Sequence, residues 1–345
     1  MPISQLSASP ERTPRSSPIN DQDTFGARIA VATGSTRALA CVDDASSASA
    51  VAAHSLAVAS SLGLEVTLGR VVELQDRFHS PADPIEWQLR NRRLRRDLER
   101  MAEECGLTSR QGSVLLVGKP AEEFSCWARQ NGATLLAVTS RDAREKAGLG
   151  TTAQRLLDQG DASLLLVPPT PVSGKVRYRR IMVPIDGSAR AESVLPVAQR
   201  IARAHGSELM LVHVVPRVEI VDVAHTPHVR KLRQEIDGHN LRRARMHLDA
   251  LRTRVQGAGL KARIITSGPA DARSELRHIA NQEDVDLVVM SSHGWTGLRE
   301  VSCGSVTQYF ALNCSAPLLI VRPNLVCGSR QERRSSRDAA AFNFE

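Results

Sequence analysis

The sequence predicts an α/β fold of two tandem, open, parallel five-stranded sheets with flanking helices. Three observations predict it. Short apolar runs alternate with longer segments of helical periodicity. The same order of elements occurs twice along the chain. Glycine-containing turns follow strands and open helices, as they do at the ligand-bearing ends of parallel sheets.

In the first copy, Ala38-Leu39-Ala40-Cys41-Val42 is a short apolar run ending in Asp43-Asp44. Residues 45–62 read as an alanine-rich helix, with Ala48, Val51, Leu56 and Ala59 at apolar positions, and 66–72 as a second strand. Pro81 and Pro84 make 78–84 a loop. Residues 85–104 form a helix with Leu89, Leu94, Leu98 and Met101 on one stripe, and Arg90, Arg92, Arg93, Arg95, Arg96 and Arg100 elsewhere. Those arginines fit a solvated face whose stems lie over neighbours, or a surface for an acidic partner. Strand, helix and strand follow over 113–117, 121–130 and 134–139. Gly150-Thr151 opens a short helix, and 163–167 is the last strand before Pro168-Pro169.

The pattern then restarts. Residues 180–185 form a strand ending in Asp186-Gly187-Ser188, and 189–205 the next helix. A strand over 209–215, a long basic helix over 229–256 and a strand over 262–266 follow. Helix 271–280, strand 286–290, helix 306–312 and strand 318–321 complete the copy. Side by side, Cys41 corresponds to Val183 and Gly150 to Gly304. The expected organisation is a disordered tail over 1–24, a first domain over 25–170, a linker over 171–178, a second domain over 179–323 and a flexible tail over 324–345.

A chain of 345 residues has the length for two domains of ordinary size. Its 42 % apolar but only 3 % aromatic residues mean cores of Leu, Val, Ile and Ala. The formal charge of +8 attracts acidic partners in general but defines no nucleic-acid site, and no specific nucleic acid is expected. No apolar run approaches the roughly 20 residues that cross a bilayer. The N-terminus has no apolar signal core. Cys41, Cys105, Cys126, Cys303, Cys314 and Cys327 lack paired spacing and read as reduced thiols, with no metal site. A soluble, cytoplasmic protein is the expectation.

The stretch 286–323 carries the chemistry. A strand runs into a turn with Gly294 and Gly297, and Gly304-Ser305 then opens a helix. Free N–H groups at such a helix start suit a phosphate, and glycines let backbone approach it. This segment resembles the nucleotide-binding loop of the universal stress protein family: glycine, two residues, glycine, nine residues, then glycine and Ser or Thr. Gly294, Gly304 and Ser305 match, and Ser291 replaces the first glycine. Val183-Pro184-Ile185-Asp186-Gly187-Ser188 also resembles the family's opening Val-Pro-x-Asp-x-Ser. The resemblance covers 178–323 strongly and 37–169 weakly. It implies a Rossmann-like, adenine nucleotide alpha hydrolase-like unit with strand order 3-2-1-4-5 in each domain.

Carried over, the resemblance implies that Asp186, with Pro184, Ile185 and Ser188, meets the nucleoside of ATP. Val212-His213-Val214 lines the adenine side from the end of the second strand. Ser291, His293, Gly294, Gly297, Gly304, Ser305 and Val306 surround the phosphates, and Mg²⁺ accompanies them. Without a ligand, Asp186 and Ser305 would be helix caps and the glycines turn formers. In the first copy, Asp43 or Asp44 takes the nucleoside position, and Gly150 and Thr151 the phosphate position of a weak site. Asp142 stands where Gly294 does, and a carboxylate there repels phosphate. The first domain is therefore expected to be degenerate and mainly structural.

No metalloprotease motif, nucleophile elbow or metal spacing is present, so no catalytic residue is assigned. Slow ATP hydrolysis or self-phosphorylation is the most the resemblance implies. The expected function is a stress-response protein whose second domain binds ATP and acts as a nucleotide-dependent regulator or sensor. The alternatives are a nucleotide-free interaction scaffold and a ligase or ATP-pyrophosphatase. The absence of an early Ser-Gly-Gly-x-Asp-Ser loop counts against the last. The expected partners are the two domains paired intramolecularly through strands 162–167 and 318–321, whose edges need covering, a second chain as a homodimer, and a regulatory protein.

Overall fold

The computed structural model describes residues 36–43, 47–73, 84–107, 112–140, 148–170, 172, 174–217, 227–294, 303–313, 315–325 and 327. The tail expected over 1–24, the C-terminal segment from 328 onward, Asp44, Asp142 and Gly297 lie outside them.

The first half runs β1 Arg37–Cys41, α1 Ala48–Leu62, β2 Glu65–Val72, α2 Pro84–Glu104, β3 Ser113–Val117, α3 Pro120–Asn131, β4 Ala133–Thr139, α4 Thr151–Gln159 and β5 Ser163–Val167. The second runs β6 Arg180–Pro184, α5 Ala189–Glu192, α6 Leu195–His205, β7 Glu208–Pro216, α7 Pro227–Gly257, β8 Lys261–Ala270, α8 Ala272–Gln282, β9 Leu287–Ser291, α9 Ser305–Asn313 and β10 Leu318–Val321. One expected helix, over 189–205, is two. Pro196 sits in the first turn of α6, where its missing N–H is harmless. A continuous helix would set its ring against the Glu192 carbonyl, so the chain turns at Ser193 instead. Pro84 likewise starts α2 and does not exclude it.

Each half has strand order 3-2-1-4-5, as the resemblance implies, but the two sheets are not separate. Ten strands form one sheet in the order β3-β2-β1-β4-β5-β10-β9-β6-β7-β8. The join is antiparallel: Leu318 faces Leu166, Leu319 faces Leu165 and Ile320 faces Leu164. Every residue of β5 and β10 is buried. A lone unit would leave these apolar edges open, and mutual pairing supplies the missing backbone partners. The repeat register also shifts by one residue. Val42 N–H bonds Gly69 O as Ile185 N–H bonds Val212 O, each at 2.8 Å. Cys41 therefore matches Pro184, not Val183, and Asp43 is the counterpart of Asp186.

Alternate strand residues feed two cores. Leu165, Ile181, Leu209 and Leu319 point to the face covered by α1, α2, α6 and α7. Leu164, Met182, Met210 and Ile320 point to the face covered by α3, α4, α8 and α9. The low aromatic content is met by close-packed aliphatic strands.

Two further contacts hold the halves together. Tyr178, at the end of the expected linker, is only 1 % exposed. His54 of α1 and His205 of α6 flank its ring, with centroids 5.8 and 4.9 Å away. His54 Nδ1 bonds the Tyr178 hydroxyl at 2.9 Å, and Ser207 Oγ donates to Tyr178 O at 2.8 Å. Arg322, just past β10, donates from Nη2 to Leu157 O at 2.8 Å, capping the end of α4 in the other half. Its N–H donates to Ser163 Oγ at 2.9 Å. Leu325 and Cys327 are buried as well, so the first residues of the tail expected to be flexible over 324–345 lie against the core. Among the described residues, no helix is long and apolar enough to cross a membrane.

Burial lowers the His54 pKa from 6.5 to about 4. His205 is shifted the same way by burial, opposed by its bond to Ala57 O and aided by Arg177 and Lys175. Neutral imidazole is thus favoured by folding. The stability it confers is complete above pH 6.5 and is lost as pH falls toward 4. Thermal melts from pH 7 to 4.5 should show a loss on the order of 2 kcal/mol that His54→Gln largely removes. An unchanged pH slope in the variant would contradict this role for His54.

Candidate functional site

In the second half, β6 lies between β7 and β9, and the connections leave in opposite directions at the β6/β9 boundary. Ligands of open α/β sheets bind outside the carboxyl ends of strands at such a switch point. A cleft of about 600 Å³ opens there. Pro184, Ile185 and Asp186 line it beyond β6, and Val212, His213 and Val214 from β7. Met290, Ser291, His293 and Gly294 contribute from β9 and its exit. Cys303 and Gly304, with Ser305, Val306, Thr307 and Gln308 of α9, close the opposite wall, and Leu276 reaches in from α8.

Two glycines set the shape of the site. Gly294 lies against the Asp186 carboxylate: a Cβ there would overlap Oδ2 and stand 3.3 Å from Cγ. Gly304 packs on the β9 exit, where a Cβ would stand 3.4 Å from Ser292 O and 3.5 Å from His293 Cα. Neither glycine has a positive φ, so each is needed for close approach and not for a left-handed turn. Gly187, with φ 85°, does need that freedom. It reverses the chain so that Ser188 N–H donates to Asp186 Oδ1 at 2.9 Å.

Hydrogen bonds fix the loop from below. Gly304 N–H donates to Ser292 O at 2.7 Å. Thr307 Oγ1 donates to Ser291 O at 3.0 Å, and Ser291 Oγ donates to His293 O at 2.5 Å. His213 Nδ1 donates to Ile185 O at 2.7 Å, joining the two strand ends. The first helical bond of α9 runs from Gln308 N–H to Gly304 O at 2.9 Å. The N–H groups of Ser305, Val306 and Thr307 therefore have no acceptor within the helix, and the positive end of its dipole meets the cleft. Burial pushes the Cys303 thiol up to about 11, against the opposing charge of Arg322, so it is a neutral wall group.

The structure brings together Pro184, Ile185, Asp186, Val212, Ser291, His293, Gly294, Gly304, Ser305 and Val306 of the residues expected from sequence. Ser188 does not line the cleft. It is 7 % exposed, and its Oγ accepts from Ala191 N–H at 3.1 Å as the N-cap of α5. Ser305 is the first residue of α9, with Gly304 in the capping position. The cleft also takes in Leu276, Met290, Cys303 and Thr307, which the sequence pattern does not single out, whereas His213 and Val214 stand beside Val212 as expected. The apolar ones carry the same periodic signal as core residues, and only the fold shows which of them border an opening.

The arrangement suits one kind of guest. Val212, Val214, Leu276 and Met290 offer an apolar slot, Asp186 an acceptor for hydroxyl groups, and the start of α9 a cradle for an anion. His293 Nδ1 lies 3.1 Å from Ser292 Oγ. That serine is only 7 % exposed and does not line the cleft, so the contact is not an accessible nucleophile and base. Among the described residues, no three His, Cys, Asp or Glu side chains are grouped to hold a metal ion.

The first half keeps the frame and alters the contents. Gly150 N–H donates to Ser140 O at 3.0 Å, as Gly304 does to Ser292. Gly150 is buried in the capping position of α4, and Thr151 and Asp43 are exposed. At the place of Val212 stands Gly69, and at the place of Leu276 stands Phe124. The Phe124 ring lies 3.4 Å from where a Gly69 Cβ would be, so a phenyl group covers the floor that remains open in the second half.

Fold and site together define a tandem doubly wound α/β protein with a switch-point cleft in its second unit. The chain belongs to the universal stress protein family, whose sequence profile matches residues 34–168 and 177–322. It is 28 % identical over 159 residues to universal stress protein MJ0577 of Methanocaldococcus jannaschii, covering 43 % of this chain and 96 % of that one. It is 27 % identical over 152 residues to universal stress protein YxiE of Bacillus subtilis, covering 42 % and 99 %. Each relative thus corresponds to one half. The crystal structure of a universal stress protein from Archaeoglobus fulgidus DSM 4304 superimposes with a TM-score of 0.59 at 14 % identity, over 83 % of this chain and 98 % of that one. That likeness bears on the tandem fold alone.

Gly294→Ala should destabilise the ligand-free protein by about 1–3 kcal/mol, because the new methyl must displace Asp186. Gly304→Ala should cost less, since its neighbours stand at 3.4 Å or more. Denaturant melts of the two variants check the order, and a larger loss at Gly304 would contradict it.

Proposed function

We propose that this protein is a nucleotide-dependent regulator or sensor of the stress response that binds ATP, with Mg²⁺, in the cleft of its second half. The observation that carries the reading is the packing of Gly294 on Asp186 beside the start of α9. It joins the family's strand-end aspartate and its glycine loop into one site. The adenine ring fits between Val212, Val214, Leu276 and Met290, and a ribose hydroxyl lies within reach of Asp186. The N–H groups that open α9, with Ser305, hold the phosphates without a lysine among the described lining residues. Mg²⁺ comes with the phosphate oxygens, with Ser305 or Asp186 helping to orient it. Gly297 completes the loop in this reading.

Binding would fix the 291–305 loop around the phosphates. Cys303 in the cleft wall feels the charge of Arg322, which reaches α4 of the first half, and in this reading that link couples loop position to the contact between the halves. The first half acts as the structural partner, with Asp43, Gly150 and Thr151 forming at most a weak anion site. Chemistry at bound ATP is limited to slow hydrolysis or self-phosphorylation, and the working compartment is the cytoplasm. The competing reading is a nucleotide-free scaffold.

Calorimetric titration of the full chain with ATP and Mg²⁺ tests this. One ATP per chain should bind with micromolar affinity, and Gly294→Ala should weaken it by at least about tenfold. Gly150→Ala in the first half should leave it unchanged. No heat of binding would favour the scaffold, and equal losses in both variants would remove the assignment to the second half.

A further inference from the structure

The longest helix, α7, presents a seam that the fold does not use. Leu232, Ile236, His239, Arg243 and Met246 follow one another at steps of four and three residues and are all exposed. Steps of this kind place side chains on one stripe of a helix and form the seam by which helices pair. The opposite stripe, Ala244, Leu248, Leu251 and Val255, already fills the core. Residues 229–243 contain no fully buried residue, and the stripe of Arg233, Asp237, Asn240 and Leu241 is half-buried, so about 22 Å of helix is packed on one side alone. Isolated helix of that length is marginal in water.

Exposed apolar side chains are not scattered over the surface. The large ones among the described residues are Leu232, Ile236 and Met246 on α7, Ile85 and Leu89 on α2, and Val117 on β3. Helix α2 shows the same grammar in shorter form, with Ile85 and Leu89 followed by Arg92 and Arg96 at steps of four, three and four. Charge then identifies the occupant. Between 229 and 246, Arg230, Lys231, Arg233, Arg242, Arg243 and Arg245 oppose only Glu235 and Asp237. A second copy would set this basic surface against itself. A nucleic acid would match the charge but offers no apolar stripe, and a lipid surface would have to bury Arg243 and His239, which stand within the seam and which acidic flanks of a partner helix can pair.

We propose that the exposed seam of α7 is a docking surface for an amphipathic helix of a partner protein, apolar along one stripe and acidic along its flanks. Leu232, Ile236 and Met246 would supply the buried contacts, and the flanking arginines would set orientation and speed encounter. The seam belongs to the helix layer on the face of the sheet opposite to α8 and α9.

A synthetic peptide of about three heptads, with Leu at the a and d positions and Glu at e and g, is a direct probe of the full chain by fluorescence anisotropy. It should bind at least about tenfold tighter than a scrambled peptide of the same composition, and more weakly as salt is raised. Ile236→Ser and Arg243→Glu, both at exposed positions, should each weaken it by about tenfold with an unchanged circular dichroism spectrum. Equal affinity for the scrambled peptide would reduce the surface to charge alone and overturn the proposal. So would tighter binding to phosphatidylserine vesicles or duplex DNA, or self-association of the chain that Ile236→Ser abolishes.

Discussion

The antiparallel pairing of β5 with β10 is the constraint on which the rest of this structure depends. A single unit ends its sheet on a strand that is apolar on both faces and has an unpaired backbone edge. Two such units in one chain remove both liabilities by pairing them. The pairing makes the sheet continuous, places α1 beside α6 and gives Tyr178 a closed pocket between two histidines. It also brings Arg322 to the end of α4, where a buried guanidinium meets the Leu157 carbonyl and the negative end of the helix dipole. The halves are therefore one packed body and not two beads on a linker.

That arrangement frees the halves to diverge. Both retain the strand, glycine and helix frame, down to the hydrogen bond from the glycine before the last helix to the serine beyond the fourth strand. In the second half, a valine and a leucine border an open slot, and a glycine allows the loop to touch Asp186. In the first, Gly69 and Phe124 exchange large and small, and the ring fills the floor. Loss of an opening costs the fold nothing when the same volume is packed by a neighbouring side chain.

Much of this was legible in the sequence. The aliphatic strands and the repeat located all ten strands, and the two glycine–serine or glycine–threonine steps located the helices that follow them. Val183-Pro184-Ile185-Asp186 and Gly294 with Gly304 located the cleft, since their chemistry is backbone geometry that residue type encodes. What escaped depended on contacts between distant residues. Ser188 carries the same hydroxyl whether it caps a helix or meets a ligand. Leu276 and Met290 look like core until the opening beside them is seen. The fusion of two sheets follows from edge pairing, which no local pattern records, and Asp43 could be matched to Asp186 only through the Val42 and Ile185 ladder bonds. The split at Ser193 was readable from Pro196, whose ring forbids the continuous helix that apolar periodicity alone suggests.

The proposed nucleotide site lies in only one of two similar frames. A crystal structure of the full chain grown with a non-hydrolysable ATP analogue and Mg²⁺ tests it most directly. The predicted result is density for one analogue per chain, with its ring between Val212 and Leu276 and its phosphates at the start of α9. Density beside Asp43 and Gly150, or crystals saturated with the analogue that show none in the second cleft, would contradict the account.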